Sequence, residues 1–480
     1  MIYPILFLTL VFQGLPAQAQ MLTEKKVLEL HRAQSLQNQS LLAQKSAADL
    51  SASLLSESYS ARLKAQVNYA HSGEKALNTF QPVISPAEDW SLAVEKRLRR
   101  GVGVTAGVFG SQSSATDGSF TDATQLGVRA QVSLDLWKNF WGRIDQNQTL
   151  SQESQKKRAD LDYQMQIRKS EVEIRKVYWS LVAVDQSIEL SKQLLSSAEK
   201  QLEDALKRQA AGVADRGEVA RYRSQVDSRN SSLLLFQYEK ALLFQALEKS
   251  WKDFRAASWS VDVKESETQL PQVQQCIAGI SSQKNPPVDG TFYDEMVDLL
   301  KKEFDAETEI AHRHGDIDLQ LLAQAQTTGV SDSFSRAQRD LSDENRAGYG
   351  VGLMLTVPLE SSSEESERAL LAVKKNQLQA QQLSLKKELE STHGTMVKAL
   401  ELLSLGLKNQ VQNSQNLKIN YQEVQRKFQQ GRIPVSTVIF EQDALFQSQL
   451  QEITFKKQLA HAVLDYFQVF HQFSCSWNQI

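Results

Sequence analysis

The sequence predicts a mainly α protein with a β-barrel portion: long coiled-coil hairpins that carry transmembrane strands, arranged as two internal repeats. Three observations lead there. The stretches Arg143 to Ala211 and Glu360 to Gln430 hold no proline, and their only glycines are Gly394 and Gly406. Each stretch runs into a glycine, Gly212 or Gly431. Each is preceded by segments in which apolar and polar residues alternate, the period of a strand with one apolar face. An uninterrupted helix of roughly 69 residues is about 100 Å long. Such a helix is a rod held by partner helices, not an element of a small globular core.

The chain opens with an export signal, Met1–Ala19. Ile2 to Phe12 is apolar, Gly14, Leu15 and Pro16 break it, and Ala17-Gln18-Ala19 has the small-x-small form of a cleavage site. No Lys or Arg precedes the apolar core, which departs from the usual pattern; a buried N-terminal strand is the plainer alternative. No Cys follows the site, so no N-terminal lipid anchor is indicated.

The next unit, residues 20–255, reads as a first repeat: a helix, strands over about 59–136, and a helical hairpin over about 143–255. In Tyr59 to His71, Ala61, Leu63, Ala65, Val67 and Tyr69 alternate with Arg62, Lys64, Gln66 and Asn68. In Gln125 to Leu136, Leu126, Val128, Ala130, Val132 and Leu134 alternate with polar residues. Each segment is about ten residues long, the length and dyad pattern of an outer-membrane barrel strand. A half-buried soluble sheet would alternate in the same way. The export signal, the recurring length and the aromatic residues Trp137, Phe140 and Trp141 at the strand end favour the barrel. Between Trp90 and Gly110 two further alternating runs flank Arg99-Arg100-Gly101, either an extra hairpin in the barrel or one outside it. The polar stretches Ser72 to Asp89 and Thr327 to Ala347 read as long external loops.

Within the first rod, Leu181, Ile188, Leu195 and Leu202 form a row at seven-residue spacing beside Val184, Ser191, Ala198 and Ala205. Large residues facing small ones let helices interdigitate. In the second rod Leu403, Leu417 and Val424 accompany Leu407, Tyr421 and Phe428. The descending partners are about Val219 to Ser250 and Val438 to Phe470, with reversals at Gly212 to Gly217 and Gly431 to Pro434. Pro434 suits the first turn of a new helix.

Residues 256–290, with Pro271, Pro286, Pro287 and Cys276, show weak helical signal and join the repeats as an equatorial segment. Residues 291–480 form the second repeat. It holds a helix, strands over about 316–358 (Ile317, Leu319, Leu321, Ala323 and Ala325, then Tyr349, Val351, Leu353, Leu355 and Val357), a hairpin over about 360–472, and a C-terminal tail.

The formal net charge of −3 gives no nucleic-acid footprint. No apolar run reaches the ~20 residues of a spanning helix, so any membrane crossing is by strands. His312-x-His314 and Gly101-x-Gly103-x-x-x-Gly107 carry no supporting context for a metal or a nucleotide. No nucleophile–base set or carboxylate pair stands out, so no catalytic, cofactor or metal site and no enzyme activity is expected. Four to six strands cannot close a barrel, and open edges in lipid cost several kcal/mol per unpaired amide. Copies of the chain must therefore share one barrel, three copies giving twelve strands, or eighteen with the extra hairpin.

Leu22-Thr23-Glu24 at the first helix, His314-Gly315-Asp316-Ile317-Asp318-Leu319 before the second strands, and Phe428-x-x-Gly431 at the second reversal carry a further signal. Together with the duplicated helix–strand–strand–helix units, they make the chain resemble the TolC-like outer-membrane efflux proteins over essentially its whole mature length. The resemblance implies a homotrimeric α/β-barrel duct in the outer membrane of a Gram-negative bacterium, with a helical tunnel crossing the periplasm. It implies a passive exit channel for efflux or type I secretion. The partners it implies are outer-membrane lipid, a periplasmic adaptor and an inner-membrane pump of RND, ABC or MFS type. It places adaptor contact on Gly212, Val213, Ala214, Asp215 and Arg216, with Gly431, Arg432, Ile433 and Pro434. Glu218 matches an acidic residue that helps latch the closed tunnel. The aspartates of relatives six and nine residues after the second glycine are Thr437 and Phe440 here, and a tyrosine three residues before it is Phe428. An apolar constriction, from Phe440, is expected in place of an aspartate ring; packing of Phe428 and Phe440 between helices is the alternative. Cys276 and Cys475, at nearly equivalent places in the two halves, are expected as a disulfide tying the inter-repeat segment to the C-terminal tail, suited to an oxidising compartment. A periplasmic adaptor and a soluble coiled-coil structural protein remain the competing readings.

Overall fold

The computed structural model describes residues 20–73, 84–115, 123–282, 290–314, 316–343, 347–357, 362–473, 475 and 477. The expected leader, Met1–Ala19, lies outside the described residues.

The chain starts with β1 (Gln20–Leu22), then α1 (Glu24–Gln34) and α2 (Leu36–Ser58). The Thr23 hydroxyl begins α1 by accepting the Lys26 N–H at 3.1 Å, one of the donors a helix start leaves open. Four strands follow: β2 (Arg62–Ala70), β3 (Ile84–Leu98), β4 (Val102–Ala115) and β5 (Ala123–Asp135). The first long hairpin is α3 (Arg143–Ala210) and α4 (Arg216–Ser250). Then come β6 (Trp259–Val261), α5 (Val263–Ser282), α6 (Phe292–His314), β7 (Asp318–Ser331), α7 (Phe334–Asp343) and β8 (Ala347–Thr356). The second long hairpin is α8 (Ser362–Gln429) and α9 (Val435–Val469). Among the described residues no helix is long and apolar enough to cross a membrane.

Three segments differ from the sequence expectation. Strand β3 begins at Ile84, so the end of the supposed loop 72–89 is paired strand. The supposed loop 327–347 is the last part of β7 followed by α7. The stretch after Ala256 holds a twenty-residue helix, α5, with Pro271 inside it. A proline costs a helix interior about 3 kcal/mol. Val273, Cys276, Ile277 and Ile280 fall on one helical stripe and are all buried. At about 1.5–3 kcal/mol per large apolar side chain, that stripe outweighs the lost hydrogen bond.

The described chain forms two compact units. The first takes the segments up to Ala43, Asp162–Asp294 and from Ser384 onward. Its core gathers Leu22, Tyr178, Leu181, Trp251, Leu459, Val463, Tyr466, Phe470 and Trp477, all essentially sealed from water. Buried within it, the Arg175 Nε donates to Glu24 Oε1 at 2.6 Å, and the Trp477 indole N–H donates to Glu24 Oε2 at 3.2 Å. A carboxylate can be fully buried here because a guanidinium and an indole N–H replace its water. The Cys276 and Cys475 sulfurs are bonded, with the Cα atoms 5.6 Å apart. Of the seven-residue rows, Leu181, Ile188, Val184, Ser191, Ala198 and Ala205 are buried in α3 and Leu195 and Leu202 half-buried; in α8 Leu407 and Val424 are buried and Leu403, Leu417, Tyr421 and Phe428 half-buried.

The second unit, Gln44–Leu161 with Glu295–Leu383, holds one antiparallel six-stranded sheet in the order β2-β3-β4-β5-β7-β8. The hairpin β3–β4 therefore sits inside the sheet, between β2 and β5. Directly paired residues of antiparallel strands share a face. The row Val67, Trp90, Gly110, Leu126, Gly329 crosses five strands on one face. Leu63, Leu92, Val94, Val104, Val108, Val128, Val132, Leu321, Val351, Leu353 and Leu355 share that face. The opposite face carries Lys64, Gln66, Asn68, Glu95, Arg97, Gln131, Ser133, Gln320, Gln324 and Gln326. The apolar face is exposed: Val67 is 80% exposed and Tyr349 91%.

The sheet is fastened to the start of α3 through Asp145, which is fully buried. Its carboxylate accepts from the Tyr59 hydroxyl (3.0 Å), Arg97 Nη2 (3.0 Å), the Gly101 N–H (3.2 Å) and Asn139 Nδ2 (2.8 Å). Trp137, Phe140 and Trp141, at this end of the strands, are exposed.

Candidate functional site

The two hairpins reverse through the same backbone device. At the first, Gly212 has φ 76°, its N–H donates to the Gln209 carbonyl (2.9 Å), and the Val213 N–H reaches back to the Arg208 carbonyl (2.9 Å). At the second, Gly431 has φ 72°, its N–H donates to the Phe428 carbonyl (2.8 Å), and the Arg432 N–H reaches the Lys427 carbonyl (3.0 Å). Both are Schellman ends, in which a left-handed residue lets the chain satisfy the last open carbonyls. A side chain at positive φ is strained, which is why glycine stands at both places.

The new helices start differently. Asp215 caps α4, its carboxylate accepting the Glu218 N–H at 2.6 Å. Pro434 takes the capping place of α9 without a side-chain bond, rather than a place within the first turn, and the Thr437 N–H donates to its carbonyl at 3.1 Å. Around these turns Val213 is 77% exposed, Arg216 and Arg432 are exposed, and Ala214, Ile433 and Thr437 are half-buried.

Just behind the turns the two hairpins pack together. Ala205 of α3, Val219 and Tyr222 of α4, and Val435 of α9 form one buried cluster, with Leu202, Phe428 and Ile439 against it. Arg208 joins the parts. Its Nη2 is 2.5 Å from Glu218 Oε1, and its guanidinium lies over the Phe428 ring at 5.4 Å. Tyr222 bonds the same arginine. Burial, helped by the Glu218 carboxylate and opposed by Arg208, pushes the Tyr222 phenol up to about 12, so it stays neutral, its oxygen accepting from Arg208. One turn further in, Gln225 Nε2 donates to Gln442 Oε1 at 2.9 Å, both residues buried. Arg229 pairs with Asp443 and lies over the Phe446 ring at 4.8 Å.

Of the residues expected at this end, Glu218 and Phe428 meet through Arg208. Phe440 does not join them: it is 69% exposed on α9, whereas Val435, Val438, Gln442 and Phe446 are buried. Phe428 lies against the buried cluster at the hairpin ends, whereas Phe440 is exposed on the single chain. Arg208, Tyr222, Gln225 and Gln442 escape the sequence reading. The signal for Arg208 lies in its place: it precedes Gly212 by four residues and Glu218 follows by six, so a tight reversal brings them face to face. Among the described residues no group of His, Cys, Asp and Glu is arranged to hold a metal ion.

Two long helical hairpins and a six-stranded sheet with one exposed apolar face thus belong to one chain. Residues 101–251 match the model of the family described as outer membrane efflux protein. Three solved structures are similar over nearly the whole chain. The CusC channel is 13% identical, with a TM-score of 0.64 covering 96% of this chain and 95% of that one. The outer membrane protein VceC of Vibrio cholerae is 14% identical, with a TM-score of 0.61 covering 92% and 95%. The CmeC outer membrane channel of Campylobacter jejuni is 12% identical, with a TM-score of 0.61 covering 93% and 85%. No curated protein sequence matches the chain.

Proposed function

We propose that this chain is the outer-membrane exit duct of a tripartite efflux or type I secretion system, conducting its cargo passively across periplasm and outer membrane. The observation that carries the reading is the six-stranded sheet. One face is apolar and exposed, the other is polar, and among the described residues β2 and β8 are each paired on one side only. Such edges are sealed in lipid only by closure with other copies. Three copies give an eighteen-stranded barrel with the polar face inward, a size at which barrels hold an aqueous lumen. The expected export signal and the family model matched over residues 101–251 support this placement.

The reversal ends then form the inner mouth of the duct. Val213, with Gly212, Ala214, Asp215, Arg216, Gly431, Arg432, Ile433 and Pro434, presents the surface for a periplasmic adaptor and its inner-membrane pump. Phe440, exposed two turns into α9, stands in the bore as an apolar constriction, with Thr437 a turn below it. Glu218 holds the closed arrangement through Arg208.

The test is membrane fractionation, followed by heat-dependent gel mobility and planar-bilayer recording. The expected result is a detergent-extracted trimer that conducts, with Phe440→Asp raising cation preference. A stable lone subunit purified without detergent would overturn the reading. An unchanged current in Phe440→Asp would remove that residue from the bore.

A further inference from the structure

We infer that α7 is an interfacial helix that lies at the headgroup level of the outer leaflet and meets lipid phosphates there. The inference rests on the barrel reading above.

The helix packs on the sheet, against β7 and β5. The face it covers is the apolar one. Gly329 of β7 pairs with Leu126 of β5, in the same row as Trp90 and Val67. A Cβ on Gly329 would meet the Ala337 carbonyl and stand 2.5 Å from the Leu341 nitrogen, so the helix lies directly on that strand. Leu126 and Ala337 are buried between them, at 6% and 0% exposure. Asp340 pins the helix by accepting the Val330 N–H at 2.9 Å.

The helix is two-faced. Phe334, Ala337 and Leu341 fall on one stripe at three- and four-residue spacing. Ala337 and Leu341 face the sheet, but Phe334 is 56% exposed, an apolar side chain of that stripe left partly uncovered. Arg336 and Arg339 lie on the opposite side and are exposed. Because the apolar stripe faces the barrel wall, the two arginines point away from it, into whatever surrounds the barrel. Arg336 is held by Asp332 at 2.6 Å, which leaves other donors of its guanidinium available. Guanidinium groups facing acyl chains are costly, and facing phosphates they make charge-assisted pairs.

Height agrees with this. From Leu134, beside the exposed Trp137, to Leu126, under α7, is about 27 Å along the strand, or about 21 Å of height at a ~40° tilt. The apolar band of such barrels is about 25 Å tall. Trp137 and Trp141 mark its inner rim and α7 its outer rim.

The test uses the assembled full-length protein in vesicles containing lipid A, with phosphatidylcholine vesicles as the comparison. Spin labels are placed at Phe334→Cys and Arg339→Cys, the native cysteines being bonded to each other. The label at 334 should favour oxygen over a water-soluble nickel chelate and read just below the phosphates; the label at 339 should read at them. Lipid A should raise the melting temperature of the trimer, and the double variant Arg336→Glu, Arg339→Glu should lose that shift while still conducting. If the protein inserts and conducts but both labels read as fully aqueous, or the double variant keeps the lipid A shift, α7 is an ordinary external loop and the inference falls alone. If neither protein inserts, the duct reading falls with it. An equal shift with inorganic phosphate would show a free-anion site and also overturn the inference.

Discussion

Arg208 Nη2 stands 2.5 Å from Glu218 Oε1 across the first reversal, so the last turn of one rod is ion-paired to the first turn of the next. The same guanidinium covers the Phe428 ring of the second hairpin. One side chain therefore ties three helices at the end proposed as the inner mouth. Both partners are partly exposed, so the pair contributes modestly to overall stability. Its effect should be local. Arg208→Ala and Glu218→Gln are each expected to increase single-channel conductance and the uptake of large antibiotics. Global melting should be nearly unchanged. Wild-type conductance in both variants would show that the pair holds nothing shut.

The two glycine reversals should respond alike. Nothing lies within 4 Å of a Cβ built at Gly212 or Gly431. An alanine there meets only backbone strain, about 1–2 kcal/mol for a left-handed residue. Gly212→Ala and Gly431→Ala should each weaken the hairpin by that amount, read as faster hydrogen exchange in the last turns of α3 or α8. Asn, which tolerates this conformation better, should do less harm at either place.

The disulfide joins residues 199 apart in sequence. In the chain-entropy account a loop of that length is worth about 5 kcal/mol, an upper figure that native strain and residual structure reduce. Cys475→Ser should lower the melting temperature of the protein. The same shift should appear in wild-type protein after reduction and not in the variant. Non-reducing peptide mapping that found both thiols free would remove the premise.

His31 predicts the pH response of the first unit. The Trp251 indole can only donate, and its N–H is 3.1 Å from His31 Nδ1, so that nitrogen accepts. The ring proton then sits on Nε2, which faces Ser170 Oγ at 2.6 Å. Burial holds the His31 pKa below its usual 6.5. Folding thus favours the neutral ring. Its stabilisation is complete above about 6.5 and is lost as pH falls below that value toward the folded-state pKa. His461 and His471 are lowered by burial too and act in the same direction. Melting temperature should fall from pH 7 to pH 5, and His31→Asn should flatten part of that slope. An unchanged slope would assign it to the other two histidines.

Much of the architecture was legible in the chain itself. A long run without glycine or proline can hardly be anything but helix, and a glycine followed within a few residues by Asp215 or Pro434 must turn. Alternation over ten residues likewise fixes which side chains share a sheet face. These are local rules, set by backbone sterics and by the periods of helix and strand, so sequence alone determined the rods, the reversals and the two-faced strands. Tertiary structure decided what depends on distance. Pro271 was tolerated because four buried side chains outweighed it, and α7 formed because Gly329 let it lie against β7. The β3–β4 hairpin became interior to the sheet because both its edges found partners. Phe428 and Phe440, equal as letters, differ because the first lies against the buried cluster of the hairpin ends and the second stands exposed on the single chain. Such outcomes turn on which surfaces meet, and no periodicity in a chain records that.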